Sequence, residues 1–341
     1  MKLRFAAMAL LVVAASPLRS QPLTPLNVGV SFSTSDVGLF VADKKGYFRR
    51  EGLDVKFISF DSGARMIAPF ASGDLDLGGA GPSAALYNAA ARNIDIRIVA
   101  DKGSTPKGRP ITYLLVRKDH VESGRYKSFI DLKGMKIANS APGASANTIL
   151  TKLLRRIGLG VGAIDCVYMG FPQQAAALQN KAIDAALPLE PAASAAVNGG
   201  AAARIAGDDE IYPGHQIATI FYTGAFIRNK PDAARKFMRA YIAGVRDYSD
   251  ALTDGKLRGD KGEEIIDMLT QYTQIKDPAA HRAISPVHVD PDGKLGVDSL
   301  KEDLSIFDAE GLIEGEVDID KVIDTSFIDA VVKELGPYRR N

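Results

Sequence analysis

The residues best suited to hold a ligand are small and polar, and they cluster where an apolar run gives way to an amphipathic one. In "GMKIANSAPGASANTILTKLL", Gly134 to Leu154, the chain is nearly stripped of side chains midway. Small residues between a strand and a helix let a ligand approach the backbone, and the free N–H groups of a helix start favour an anion. Ser140, Gly143 and Ser145 are the candidates in this stretch, and Ser145 is also placed to cap the helix that follows.

Five further strand-to-helix junctions accompany it, Ser31 to Asp36, Asp61 to Ala64, Gly79 to Ser83, Met169 to Gln173 and Pro188 to Pro191, and four of the six are rich in Ser, Gly or Asn. They add Ser31, Phe32, Ser33, Ser62, Gly63, Gly81, Ser83, Met169, Phe171 and Glu190 to the candidates, and a later extended stretch adds His215 and Tyr222. Phe32, Phe171, Phe221 and Tyr222 are rings on which an aromatic ligand could stack. Glu190 is placed either to meet a donor on the ligand or to pair with an arginine and cap the next helix.

Other chemistries fit less well. Gly143-Ala-Ser145-Ala-Asn147 imitates a nucleophile elbow, but its last glycine is absent and no acid and histidine follow in a triad context. Gly79-Ala-Gly81-Pro-Ser-Ala84 imitates a dinucleotide fingerprint, yet it follows the third strand and Pro82 interrupts it. Asp290 to Gly293 starts like a calcium loop, but Lys294 takes the third ligand position, so a turn is expected. No cysteine and histidine cluster suits zinc. Cys166, the only cysteine, reads as a packed thiol and can form no intramolecular disulfide.

The elements that must position these residues alternate. "LNVGVSF", "LDVKFISF" and "LDLGGAG" read as strands separated by helices, and a second run from about Asp131 repeats the plan through "MKIAN", "DCVYM" and "AIDAAL". Such alternation predicts mostly parallel sheets covered on both faces. In the helix from Ser145 to Ile157, apolar residues share one face. "ASGDLDLGGAGPSAAL" and "LQNKAIDAALPLEPAASAAV" echo each other, which predicts two similar lobes. "ITYLLVRKD" and "QIATIFYTGAFIRNKP" read as strands connecting them. Lobe one is therefore expected at 26–116 plus 226–341 and lobe two at 117–225.

The chain has 341 residues with 42 Lys+Arg against 41 Asp+Glu, and no basic block marks a nucleic-acid binder. "MKLRFAAMALLVVAASPLRSQ" has the charge and short apolar run of a secretory signal, too short to span a membrane. Its removal after Ser20 would delete three bases and no acid, shifting the formal charge from +1 to −2.

"KKGYFRREGLDVKFISFDSGARMIAPFASGDLDLGGAG", "DLKGMKIA", "ALQNKAIDAALPLEP" and "DAARKFMRAYIAGVRDY", in this order, resemble the nitrate/sulfonate/taurine branch of ABC-transporter substrate-binding proteins. That branch also includes binders of pyrimidine vitamin precursors and aromatic acids. The likeness runs from about Asn27 to Ala251 and implies a type II periplasmic-binding-protein fold: two α/β lobes, two crossing strands and a cleft between. It implies a cofactor-free monomer in the periplasm that delivers a solute to an ABC permease with its cytoplasmic ATPase, with no nucleic acid and no membrane insertion. One enzymatic branch of the family carries a cysteine-rich motif that this chain lacks, so no catalysis is expected. The expected ligand is a small organic anion, a sulfonate or carboxylate, aromatic ones included. A pyrimidine or riboflavin-like heterocycle becomes the alternative if Glu190 faces the cleft. An exported serine hydrolase using Ser145 is the alternative of another class.

Overall fold

The computed structural model describes residues 22–60 and 62–340. The expected signal segment and Asp61 lie outside the described residues. Ten strands build two five-stranded sheets: β1 (Thr24–Val30), β2 (Leu53–Ser59), β3 (Leu77–Ala80), β4 (Ile96–Thr105), β5 (Tyr113–Arg117), β6 (Lys136–Asn139), β7 (Asp165–Tyr168), β8 (Ala185–Ala186), β9 (Ala202–Gly207) and β10 (His215–Thr223).

The two sheets share one plan. The first runs β2-β1-β3-β10-β4, with β1 parallel to β2 and β3 and with β10 antiparallel to β3 and β4. The second runs β7-β6-β8-β5-β9, with β6 parallel to β7 and β8 and with β5 antiparallel to β8 and β9. Each therefore has three parallel strands followed by an antiparallel pair, as the echoing sequences suggest.

Alternation sends successive side chains to opposite faces, so each sheet carries a core on both sides. In β10, Ile220 and Tyr222 join the core under the helix Pro231–Asp250, whereas Phe221 joins the opposite core with Tyr87, Leu300 and Phe307. In β5, Leu114 and Val116 meet the helix Ser145–Arg156, and Tyr113 and Leu115 meet Leu178 and Ala193 on the other side. The expected apolar stripe of that helix is present: Ile149, Leu150, Leu153 and Leu154 are all buried. The segment from Asp290 to Gly293 is a turn, closed by the Gly293 N–H donating to the Asp290 carbonyl at 2.8 Å.

The chain crosses between sheets at places other than those expected. It leaves the first sheet after Thr105, enters the second at Tyr113, leaves it after Gly207 and rejoins the first at His215. The stretches at 111–119 and 216–231 do not themselves connect the lobes: β5 lies wholly in the second sheet and β10 wholly in the first. Extended apolar sequence marks a central strand as readily as a connector, and these two are central. Among the described residues, no helix is long and apolar enough to cross a membrane.

Candidate functional site

In sheets of this kind ligands sit beyond the carboxyl ends of the parallel strands. On the first lobe those ends are Ser31 to Ser33 after β1, Ser62 and Gly63 after β2, and Gly81 to Ser83 after β3. On the second they are Asn139 to Ser145 after β6, Met169 to Phe171 after β7, and Leu187 to Glu190 after β8.

The two sets meet. Ser83 and Ala144 form an antiparallel bridge, and the Ala84 N–H donates to the Gly143 carbonyl at 2.9 Å. Gly143 has φ +63°, and a Cβ there would lie 2.6 Å from the Ala84 Cβ, so both its conformation and its neighbour require glycine. A Cβ on Gly81 would lie 3.3 Å from the Ser145 Oγ of the other lobe. Gly63 adjoins the same place, since a Cβ on it would lie 3.1 Å from the Gly81 carbonyl. Gly63, Gly81, Ser83, Gly143 and Ser145 are thus brought together.

Ser145 does not cap its helix. The N-cap is Ala144, whose methyl group has no acceptor, so among the described residues no side-chain cap bond is made at the start of the helix Ser145–Arg156. Asn139, fully buried, accepts the Ser140 N–H on Oδ1 at 2.8 Å, and its Nδ2 has no partner among the described residues. The Met169 N–H donates to the Asn139 carbonyl at 3.0 Å, which fixes the end of β7 beside it, and Phe171 opens the next helix half-buried.

On the first lobe, Ser31 and Ser33 surround Asp36. The Asp36 Oδ2 accepts from the Ser33 N–H at 3.0 Å and from the Ser31 Oγ at 3.2 Å. Phe32 has φ +50° and stacks on Phe40 with ring centroids 6.0 Å apart. Ser83 caps its own helix by accepting the Leu86 N–H at 3.4 Å.

Three candidates are committed elsewhere. Tyr222 is fully buried, donates to the Ala234 carbonyl at 2.9 Å and packs edge-on against Phe226, Phe237 and Phe327. The reason is direction: β10 is antiparallel, so Thr219 lies opposite Ala80 at the cleft end of β3 while Tyr222 lies opposite Leu77 at the far end. His215 is fully buried, 2.9 Å from Asp303 and 3.3 Å from the Thr148 Oγ1. Glu190 caps the helix after it, accepting from the Ser194 N–H at 3.0 Å and Oγ at 2.9 Å, and it pairs with Arg204 at 2.5 Å.

Sequence reasoning missed a polar seam behind the cleft. The helix Val297–Ala309 packs its apolar side on the first lobe and turns acidic side chains toward the second. Glu302 pairs with Lys152 at 2.5 Å, and Glu310 accepts from the Asn147 Nδ2 at 2.6 Å and from Thr151. Tyr212 donates to the Ser299 carbonyl at 3.2 Å and lies under the Lys152 ammonium, 3.8 Å from ring centroid to Nζ. Where the chain returns toward the first sheet, buried Asp208 accepts from the Ile111 and Thr112 N–H groups at 3.1 Å each, and burial pushes its carboxyl up to about 6. Also unforeseen is Lys102, buried on β4 and paired with Asp36. A lysine next to an aspartate inside an apolar strand was the one available signal.

The NMT1-like family matches residues 19–251. A protein of Escherichia coli (strain K12) named for aliphatic sulfonate binding is 26% identical over 176 residues, 51% of this chain and 52% of that protein, so the match spans about half the length of this relative. The alkanesulfonate-binding protein SsuA of Xanthomonas axonopodis pv. citri, solved bound to MOPS, superposes with TM-score 0.67 at 21% identity, covering 89% of this chain and 99% of that one. The periplasmic nitrate-binding protein NrtA of Synechocystis PCC 6803 superposes with TM-score 0.73 at 14% identity, covering 92% and 89%. With two sheets of one plan facing each other across paired strand ends, this chain is a member of the NMT1-like family and carries the two-lobed fold of the periplasmic substrate-binding proteins.

Proposed function

We propose that this protein is an extracytoplasmic solute-binding protein that captures a small organic anion, a sulfonate or a carboxylate, and delivers it to an ABC permease. It works by closure of the two lobes rather than by catalysis. The observation that carries this reading is the start of the helix Ser145–Arg156, which among the described residues no side chain caps, next to the Nδ2 of buried Asn139, which has no partner among them either. A helix start offers N–H donors and the positive end of a dipole, and an unpaired buried amide is costly unless something accepts from it. An anionic head group satisfies both. The sulfonate and nitrate binders on this fold support the same class of ligand.

The heterocycle alternative loses its support because Glu190 is held by Ser194 and Arg204. The hydrolase alternative loses its base because the fully buried His215 turns Nε2 to Asp303 and Thr148, and among the described residues no hydrogen bond joins it to Ser145.

A thermal-shift panel of alkanesulfonates, aromatic sulfonates, carboxylates and matched uncharged amides tests the reading. A ligand at about 100 times its Kd adds roughly 2.7 kcal/mol, which raises the Tm of a chain of this size by several degrees. Stabilisation by anions and not by the amides supports the proposal. A preference for the uncharged compounds, or no response to any anion, overturns it.

A further inference from the structure

The ion pair of Lys102 and Asp36 lies behind Ser31 and Ser33, the serines that surround the Asp36 carboxylate. Both side chains are sealed, 1% and 0% exposed, with Nζ 2.7 Å from Oδ1. Taking two charges out of water is costly even when they pair, so such a pair calls for a use. The chain also makes room for it: a Cβ on Gly79 would lie 2.6 Å from the Lys102 Cδ, so the glycine of β3 admits the lysine stem.

From the ammonium a line of hydroxyls leads toward the cleft. Lys102 Nζ donates to the Ser35 Oγ at 2.8 Å, the Ser35 Oγ lies 2.9 Å from the Ser33 Oγ, and that lies 3.0 Å from the Ser31 Oγ. An ammonium can only donate, so the Ser35 oxygen accepts at that end and its proton is free for Ser33. With that proton on its oxygen, Ser33 can turn its own proton to the Ser31 Oγ at 3.0 Å or to Asp36 Oδ2 at 3.4 Å, and the shorter contact favours Ser31. The Ser31 proton then serves Asp36 Oδ2 at 3.2 Å or an acceptor outside. Ser31 and Ser33 are half-buried at the carboxyl end of β1, where the relay meets the cleft.

We propose that Lys102 is the positioning residue of the first-lobe wall: acting through Ser35, Ser33 and Ser31, it turns the Ser31 hydroxyl into a donor for a sulfonate or carboxylate oxygen. The proposal rests on the anion reading above. Lys102 also neutralises Asp36, which would otherwise set a negative charge behind the serines and repel the ligand. Aligned hydroxyls polarise one another, so the charge is felt at Ser31 without the ammonium touching the ligand.

Isothermal calorimetry with 1-butanesulfonate and benzoate tests this. Ser35→Ala cuts the relay and leaves the ion pair in place. It is expected to weaken anion binding about tenfold and to lower the melting temperature by a few degrees, because one buried ammonium proton loses its acceptor. Ser35→Thr, which keeps the hydroxyl, is expected to restore wild-type affinity. The paired variant Asp36→Asn with Lys102→Met removes both charges together, so no buried charge is left alone. It is expected to fold and to lose at least as much affinity as Ser35→Ala. Wild-type affinity in Ser35→Ala or in the paired variant, or no recovery in Ser35→Thr, overturns the relay alone. A wild-type protein that binds neither anion, nor any other in the panel, overturns the anion reading and this inference with it.

Discussion

The Ala84 N–H donates to the Gly143 carbonyl at 2.9 Å, tying the first turn of a helix in one lobe to the residue before the N-cap of a helix in the other. Gly143 sits at φ +63° with no space for a Cβ on the Ala84 side, so Gly143→Ala strains the backbone by about 1–2 kcal/mol and pushes the lobes apart. The expected result is a larger radius of gyration by small-angle X-ray scattering with ligand present, and about tenfold weaker binding. The circular dichroism of both sheets should be retained. An unchanged radius and affinity would show that this contact does not hold the lobes together.

Glu310 reaches across the lobes to Asn147 and Thr151, each 4% exposed. Glu310→Ala leaves two buried donors without their acceptor, and a loss of about 1–3 kcal/mol in urea unfolding is expected. Glu310→Gln keeps one acceptor oxygen and should lose less. Equal losses in the two variants would mean that the carboxylate charge matters rather than the hydrogen bonds.

Glu190→Gln separates structure from recognition. Its partner Arg204 has a side chain 36% exposed while that of Glu190 is 3% exposed, so the pair is only partly screened by solvent, and the neutral amide keeps one acceptor oxygen for the Ser194 bonds and Arg204. Stability should fall slightly and ligand affinity should hold. The reverse pattern would place Glu190 against the ligand.

The Asp101 carboxyl is pushed from its ordinary 3.8 up to about 7 by burial, despite accepting from Gly103, Gln216 and Asp290 at 2.7, 2.6 and 2.6 Å. A carboxyl that titrates higher in the fold than in the unfolded chain holds its proton more tightly when folded. Its contribution to stability is therefore full below about pH 4 and is lost as pH rises through about 7. Asp101→Asn removes that titration, so wild type should lose ground to the variant as urea unfolding is repeated from about pH 4 to about pH 8. A difference that stays flat across this window contradicts the prediction.

What the sequence made legible was local. The alternation of elements, the apolar stripe of Ile149, Leu150, Leu153 and Leu154, and the stripped junction at Gly143 all follow from spacing within a dozen residues. What it hid was contact over distance. Lys102 meets Asp36 across 66 positions and Glu310 meets Asn147 across 163, and neither separation leaves a periodic trace. Tyr222 was misplaced for another reason. Apolar extended sequence does not disclose strand direction, and in β10 direction alone decides which end lies beside the cleft.

β10 is inserted between β3 and β4, although the whole second sheet separates them from it along the chain. As the polypeptide emerges from a ribosome or a translocation channel, every strand of the second sheet is available once Gly207 has passed. At that moment β3 and β4 still flank an empty slot. The second lobe can thus mature while the first waits for its central strand, and a chain arrested just before His215 would expose two unpaired sheet edges, the surface most prone to joining other chains.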